Sequence, residues 1–343
     1  MTKAACQTKA ALILRLYYYI LSFMTIQEIY DLAISMGIKA DPRGEAIVMK
    51  QLEKVKREAG ELSSMQKRFF DKESLRNPYS DSRILIGDPK MQVDKVLAGI
   101  DAGSTEVLLM DRLNERGGKF DLLISHHPEG HALAALHEVM DLQVDMYAAH
   151  GVPVNVAHAL ISRRMKEVEL RFHPLNHTEA IDAARLLGVP MLAIHTIWDN
   201  LGNQFMQDFI KKQEFDTVGE IVDYMLEIPE YQESSRGRAG PLIVSGDKKS
   251  RAGKVALFFT GGTNPTKELY REFAKVGIGT VIDMHMGSDA IEEMKKLHIN
   301  VINAGHMASD SIGANIFLDA LEAKGIEVVV CSGLIRVKRG EGE

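Results

Sequence analysis

From residue 83 to residue 333, short apolar segments alternate with segments that have the residue spacing of helices. Runs such as RILIG, FDLLIS and VPMLAI are short and bounded by polar or turn-forming residues, which is typical of buried strands. Between them, segments such as STEVLLMDRLNERGG carry apolar residues at helical spacing and end on glycine. This alternation predicts an α/β fold in which helices cover the faces of the sheet.

Breaks in this pattern divide the chain into regions. The turn-forming stretch NPYSDSR separates a helical lead, with helices predicted over 25–37 and 45–72, from the alternating part. The polar, glycine-bearing stretch ESSRGRAG near 235–240 is the natural seam between two lobes. Within the first lobe, residues of about 132–188 are predicted to be rich in helix. The predicted regions are an N-terminal extension and helical lead at 1–75, a first α/β lobe at 76–235 and a second α/β lobe at 236–343.

The first 23 residues differ from the rest of the chain. AALILRLYYYILSF, residues 10–23, is apolar, but an arginine interrupts it and it is shorter than the roughly 20 residues that a membrane helix needs. From Met24 onward the sequence has the pattern of an ordinary helix start, with Thr25 as the cap and Glu28 three residues later. We therefore expect residues 1–23 to be either misread upstream sequence or a dispensable extension.

The composition is that of a globular protein with a large core. Hydrophobic residues make up 45% of the 343 residues and the formal net charge is −6, so no basic surface argues for nucleic acid as a partner. The two cysteines, Cys6 and Cys331, are too few for a disulfide framework or a cysteine-based zinc site. Neither GxxxxGK[ST] nor a GxGxxG motif after the first strand is present. We expect a cytoplasmic protein that does not associate with membranes.

Three of the predicted strands end in histidine, with a further histidine or a carboxylate close behind. The segments LLISHHP, MLAIHTIWD and VINAGHMASD place these side chains at His126, His127, His195, Asp199, His306 and Asp310. In open α/β sheets, sites form at the carboxyl ends of the strands, so we expect these side chains to lie at one edge. Mixed imidazole and carboxylate ligands suit zinc, manganese or iron(II).

The adjacent pair His126 and His127 favours two ions over one. Successive side chains of a strand point to opposite sides, so the two imidazoles are poorly placed to share one ion and well placed to bind two neighbouring ions. A carboxylate can bridge two ions because it has two oxygens. The residues therefore predict a two-metal site and leave the reaction open. The alternative is that the histidines are capped or solvated polar residues at strand ends.

These motifs resemble the NIF-three-like family (NGG-one-interacting factor three), whose members are often labelled GTP cyclohydrolase 1 type 2. The family pattern [ST]-H-H-P is matched by residues 125–128, and H-T-x-x-D by residues 195–199. The pattern G-H-x-x-[ST]-[ED], which opens the last long helix, is matched by residues 305–310. The resemblance covers roughly residues 81–131 and 189–330.

The resemblance implies two α/β lobes with two divalent ions, zinc, manganese or iron, in the cleft between them. It implies that His126, Asp199 and Asp310 hold one ion. It implies that His127 and His306 hold the other, with Asp310 as the bridge. It also implies a small-molecule substrate, for example a nucleotide, and assembly into ring-like homo-oligomers, commonly hexamers.

The chain departs from the family pattern in two places near the predicted site. The family usually has glutamate where Asp310 stands, and the shorter side chain would tighten or weaken the bridge. The interval between His127 and His195 is longer than usual, with a helix-rich insertion at about 132–188. An insertion beside the cleft could act as a lid or alter the substrate.

Other polar residues near these motifs are weaker candidates. Glu129 and His131 follow the first histidine pair, and one of them could be a general acid or base beside a metal-bound water; an ordinary place on the protein surface explains them as well. His195 is expected to line the site, and so is His285, which shares one side of a strand with Asp283. The segment FFTGGTNPT could hold an anion on backbone N–H groups, or be a plain turn.

We expect a metal-dependent hydrolase of the GTP cyclohydrolase 1 type 2-like kind, in which a metal pair lowers the pKa of a bound water. The alternatives are a metal-binding scaffold or regulatory interaction protein without turnover, and a two-metal phosphoesterase. GTP as the substrate follows from the family label alone.

Overall fold

The structure is a computed structural model that describes residues 24–340. The expectation for residues 1–23 therefore lies outside the described residues. Thr25 caps the first helix, and its side chain and that of Glu28 bond to each other's backbone N–H groups, as the sequence predicts. Within residues 24–340, none of the helices combines the length and apolar character needed to cross a membrane.

The strands and helices follow the alternation predicted from the sequence. The strands are β1 (Met24–Thr25), β2 (Arg83–Ile86), β3 (Gln92–Val93), β4 (Lys95–Gly99), β5 (Leu122–Ser125), β6 (Met191–Ala193), β7 (Leu242–Ser245), β8 (Lys254–Phe258), β9 (Ile278–Asp283), β10 (Asn300–Asn303) and β11 (Glu327–Cys331). The helices are α1 (Ile26–Lys39), α2 (Glu45–Glu61), α3 (Ser64–Lys67), α4 (Ser104–Glu115), α5 (Gly130–Ala134), α6 (Leu142–Ala149), α7 (Val154–Phe172), α8 (Glu179–Leu187), α9 (Thr196–Ile210), α10 (Val218–Met225), α11 (Pro229–Arg236), α12 (Lys267–Lys275), α13 (Ser288–Lys296) and α14 (His306–Glu322). Short 3-10 helices span Lys72–Leu75 and Leu136–Asp141.

The first sheet has the strand order β11-β4-β5-β6-β2. Its strands are parallel except β2, which runs antiparallel to β6 at one edge. Side chains alternate between its two faces: Leu122 and Ile124 pack against α1 and α14, whereas Leu123 packs against α4 and α8. Helices therefore cover both faces, which is why β5 reads as a continuous apolar run.

The second sheet has the order β7-β10-β9-β8, with β8, β9 and β10 parallel and β7 antiparallel to β10. One face packs against α6, α7, α12 and α13, and the other against α9, α10 and α11. Helix α14 joins the two cores, because Ala308 and Ile312 belong to the second and Phe317 and Leu318 to the first. The α/β fold class is as predicted.

The structure differs from the predicted boundaries in three places. Strand β11, assigned to the second lobe at 236–343, pairs with β4 of the first sheet, since α14 carries the chain back across the molecule. Helices α6 and α7, assigned to the first lobe, pack on the second sheet, where Tyr147 meets Phe258. The predicted helix at 45–72 is divided, because Leu62 is extended and Ser63 caps a new helix. The remaining boundaries stay predictions.

Candidate metal centre

The candidate ligands lie where strands of the first and second sheets end. His126 and His127 follow β5, and their backbone N–H groups donate to the carbonyls of Gly99 and Ile100, which prolongs the parallel pairing. After β6 the chain turns into α9, whose first turn contains Asp199. The other two candidates, His306 and Asp310, begin α14 after β10 and share one face of that helix, being four residues apart.

A close crossing of α9 and α14 brings the two carboxylates together. Gly313 lies so near α9 that a Cβ there would be 1.9 Å from the carbonyl oxygen of Trp198. Asp199 and Asp310 each lie within one turn of this crossing. The fully buried Trp198 ring also stacks on the His126 imidazole, with ring centroids 5.5 Å apart. Backbone contact between the helices thus sets the separation of the carboxylates.

Asp310 faces a different group of side chains with each of its oxygens. Oδ1 lies 3.7 Å from His126 Nε2, which is itself 3.3 Å from Asp199 Oδ1. Oδ2 lies 3.6 Å from His127 Nε2 and 3.3 Å from His306 Nε2. The donor atoms of each set, one with His126 and Asp199 and one with His127 and His306, lie within 4.8 Å of one another. This is the grouping that the family resemblance implies.

The central donors have no hydrogen-bond partner among the described residues. This holds for His126 Nε2 and for both carboxylate oxygens of Asp310, all of them buried. Buried polar atoms in proteins are nearly always paired, so each exception requires an explanation. Converging imidazole and carboxylate donors without partners are the chemistry that binds a divalent cation.

Neighbouring groups contact Nδ1 of three of the imidazoles, which leaves Nε2 of each facing the cluster. His126 Nδ1 lies 3.1 Å from the carbonyl oxygen of Ile194, which can only accept, so Nδ1 carries the proton. His127 Nδ1 lies 2.6 Å from Asp101 Oδ1, and His195 Nδ1 lies 2.7 Å from Asp81 Oδ2. Such partners fix the ring orientation and tautomer of metal-binding histidines.

Asp81 and Asp101, which contact histidines of the cluster, were not among the residues predicted from the sequence. Asp101 follows β4, at the edge where the histidines lie. Asp81 precedes β2, and because β2 is antiparallel to β6, its beginning lies beside the end of β6. The signal available was an aspartate at the same sheet edge, but recognising Asp81 required knowing the direction of β2.

Charges in the cluster shift the pKa of its members in opposite directions. Burial alone would lower the pKa of His126, but the carboxylates of Asp310 and Asp199 outweigh it and hold the pKa well above its usual value. Burial would raise the pKa of Asp310, yet the neighbouring histidines lower it to about 2. Burial and the charge of His126 lower the pKa of His127 to about 4. Asp310 is therefore a carboxylate at neutral pH.

The cluster forms one wall of a cavity that is partly open to solvent. Its far wall consists of Asp283 at the end of β9 and His285 just after it, the loop 260–265 after β8, and Gln143 and Tyr147 of α6. The His285 ring lies 4.2 Å from the His306 ring. The insertion therefore contributes directly to this cavity through α6.

The chain is similar to a NIF3 superfamily protein from Sphaerobacter thermophilus, with 30% sequence identity and a TM-score of 0.67. The match covers 74% of this chain and 92% of that protein. The chain belongs to the NIF3 superfamily. A more distant solved structure is reduced HcgD from Methanocaldococcus jannaschii, with 12% sequence identity and a TM-score of 0.47; the match covers 78% of this chain and 94% of that one. Another is TTHA1606 from Thermus thermophilus, with 16% sequence identity and a TM-score of 0.43; the match covers 76% of this chain and 91% of that one. No family model and no curated protein matches the chain.

The predicted site residues of this NIF3 superfamily protein separate into two groups. The cavity and cluster bring together His126, His127, His195, Asp199, His285, His306 and Asp310. Glu129 and His131 do not line this cavity; Glu129 precedes α5, and His131 lines a separate hollow together with His177 and Arg83. The structure therefore brings neither Glu129 nor His131 to the proposed ligands, because α5 turns the chain away after Pro128.

The segment FFTGGTNPT is tied to the insertion. Gln143 Nε2 donates to the carbonyls of Gly261 and Thr263, at 2.6 Å each. Gly261 has a φ of 100°, and a Cβ there would be 2.5 Å from Gln143 Cγ, so only glycine fits. Anion binding by this loop stays a prediction, while its role as a wall of the cavity is a structural fact.

Proposed function

We propose that this NIF3 superfamily protein is a metal-dependent hydrolase with two divalent ions bound at the His/Asp cluster. The observation that carries the proposal is Asp310: a fully buried carboxylate with two unpaired oxygens, each facing different imidazoles. A buried carboxylate that accepts no hydrogen bond is strongly unfavourable. A cation on each oxygen would offset that penalty.

The donor set fits zinc, manganese or iron(II), since each ion would receive both imidazole nitrogen and carboxylate oxygen. His126, Asp199 and Asp310 would hold one ion. His127, His306 and the second oxygen of Asp310 would hold the other. The distances of 3.3 to 3.7 Å from Asp310 to the imidazoles support aspartate as a bridge where the family usually has glutamate.

When bound, such an ion pair lowers the pKa of a coordinated water and so supplies hydroxide at neutral pH. A histidine of the protein would act as the proton acceptor. His195 can accept one at Nε2, because Asp81 already holds its Nδ1–H and stabilises the imidazolium. Thr196 donates to the same Asp81 oxygen at 2.6 Å, which keeps that carboxylate in place.

A small molecule is the proposed substrate, because the cavity beside the cluster is lined by both polar side chains and aromatic rings. GTP as that substrate, assembly into a homo-oligomeric ring and a cytoplasmic location remain predictions. A metal-binding scaffold without turnover would use the same cluster, so only a measurement of the reaction separates the two functions.

The first test is elemental analysis of protein purified without a histidine tag, comparing the wild type with Asp310→Ala and with Asp208→Ala, a control on the exposed side of α9. We expect about two equivalents of zinc, manganese or iron in the wild type and the control, and almost none in Asp310→Ala. Nucleotide and phosphoester substrates are then assayed on the loaded proteins. Absence of metal uptake would overturn the proposal, and uptake without turnover on any substrate would favour the scaffold.

A further inference from the structure

The wall of the cavity opposite the cluster contains a second buried carboxylate. Asp283 ends β9 and is only 7% exposed. It accepts a hydrogen bond from the backbone N–H of His285 at 3.0 Å and a long one from Asn264 Nδ2 at 3.3 Å. Among residues 24–340 no lysine or arginine forms an ion pair with it. These donors and the nearby backbone N–H of Met284 are all neutral and do not use the full accepting capacity of a carboxylate.

Several other polar groups of this wall are already engaged in hydrogen bonds. The Tyr147 hydroxyl donates to Gln143 Oε1, and the Gln143 amide donates to the loop carbonyls. Thr260 Oγ1 donates to Asn200 Oδ1 at 2.6 Å. Both hydrogen bonds that Asn264 Nδ2 forms go to Asp283 and to the carbonyl of His285. The wall therefore offers a ligand the Asp283 carboxylate as an acceptor, beside the His285 ring and the Thr263 hydroxyl.

Aromatic side chains flank this acceptor. The rings of Tyr147 and Phe258 line the cavity and meet edge to face, with centroids 5.1 Å apart. Burial raises the pKa of Asp283 to about 7, as expected where no cation is near. A ligand with a flat apolar body and N–H donors would match both the rings and the carboxylate.

Asp283 and the cluster face the same cavity. The backbone of His285 donates to Asp283, while its ring lies 4.2 Å from the ring of His306. His285 therefore lies between Asp283 and the candidate ligand His306. A small molecule held at Asp283 would present its neighbouring atoms to the cluster.

We propose that Asp283 recognises a substrate with two adjacent N–H donors on one carbon, as in an amidine, a guanidine or an amino-substituted nitrogen heterocycle. A carboxylate can accept such a pair through both oxygens, which gives geometric selectivity as well as affinity. Because it names the substrate class of the same cavity, the proposal rests on the proposed hydrolase function. Recognition by Asp283 itself does not require turnover.

The test is isothermal titration calorimetry of the metal-loaded full chain with benzamidine and with benzamide, which has the same shape but offers one N–H donor group in place of two. We expect the wild type to bind benzamidine at least tenfold more tightly than benzamide. Asp283→Asn should abolish that preference. Asp208→Asn, an exposed control, should retain it. Metal loading matters, because benzamidine could otherwise bind the carboxylates of the cluster.

A second variant, Asp283→Ser, provides the same test if Asp283→Asn does not fold. Asp283→Ser retains an oxygen that can accept from the His285 N–H but lacks the carboxylate, and it should also lose the preference. Melting curves establish that each variant is folded. Equal binding of the two probes to the wild type, or an unchanged preference in a folded Asp283 variant, would overturn the proposal. The preference is measured by probe binding and not by turnover, so a metal-loaded protein that shows the preference without turnover would contradict only the hydrolase.

Discussion

Each of the two walls of the cavity contains a buried carboxylate, and the pKa values of these two carboxylates are shifted in opposite directions. On the cluster wall, the imidazoles of His126, His127 and His306 surround Asp310 and lower its pKa to about 2. On the other wall, Asp283 has no cationic neighbour, and burial raises its pKa to about 7. Both carboxylates are buried, so neighbours rather than burial decide the difference. A carboxylate with imidazoles around it suits a metal ion, and one without them suits N–H donors of an organic molecule.

The largest expected effect comes from removing the carboxylate of each wall in turn. Asp310→Ala removes a ligand from both ions and should reduce metal content from about two equivalents to almost none. Asp283→Asn should leave metal content unchanged, because its side chain belongs to the other wall. Elemental analysis of both variants checks this. Loss of metal in Asp283→Asn would mean that the walls do not have separate roles.

The two halves of the cluster should differ in the same experiment. The His126 side chain is 1% exposed, whereas that of His127 is 28% exposed. We expect His127→Ala to lose the ion that His127 would hold and to retain the buried one. His126→Ala should lose the buried ion and also lower the melting temperature, since its ring packs on Trp198. Titration with a competing chelator measures both sites; equal losses in both variants would contradict this ordering.

Replacing Asp81 or Asp101, whose carboxylates contact His195 and His127, should have a smaller effect. Asp81 is fully buried, so Asp81→Asn would disturb the tautomer of His195 with no water to compensate. Asp101 has a 67% exposed side chain, and water can replace it beside His127. We expect roughly a 10- to 100-fold loss of activity or metal affinity for Asp81→Asn and a clearly smaller loss for Asp101→Asn. Nitrogen-15 NMR of the imidazoles reports the tautomer; an unchanged His195 signal in Asp81→Asn would count against this role.

The smallest expected effect is a pH dependence of stability from Asp283. Its pKa is raised from 3.8 to about 7 in the folded state, so between these values the unfolded chain releases the proton and the folded protein keeps it. The free energy of unfolding should therefore fall as pH rises from about 4 to about 7. A pKa shift of about three units corresponds to a change of roughly 4 kcal/mol in the free energy of unfolding at a dry site. Because water can enter the cavity, we expect a change on the order of 2 kcal/mol.

The measurement is urea denaturation of wild type and Asp283→Asn at several pH values, on metal-free protein. The variant should gain stability relative to the wild type as pH rises through this window, and the difference should level off above about pH 7. Parallel curves for the two proteins would show that Asp283 ionises normally in the folded state.

Much of the candidate site could be predicted because it rests on local pattern. An apolar run that ends in histidine identifies both a strand and the edge to which it delivers the side chain, as for His126 and His306. The spacing of His306 and Asp310 places them on one face of a helix wherever that helix lies. Glu129 and His131 lie close in sequence to His127 but do not line the cavity, because the chain turns into α5.

The sequence by itself determined the α/β alternation, the strand ends that carry histidine and the family, since each follows from residue patterns within a few turns of chain. Tertiary structure alone decided that β11 returns to the first sheet, that α6 of the insertion packs on the second, and that Asp81 reaches His195. It also decided that the pKa of Asp310 is lowered and that of Asp283 is raised. These features depend on contacts between residues far apart in the chain, and the charge around a buried group depends on which distant side chains the packing brings near it.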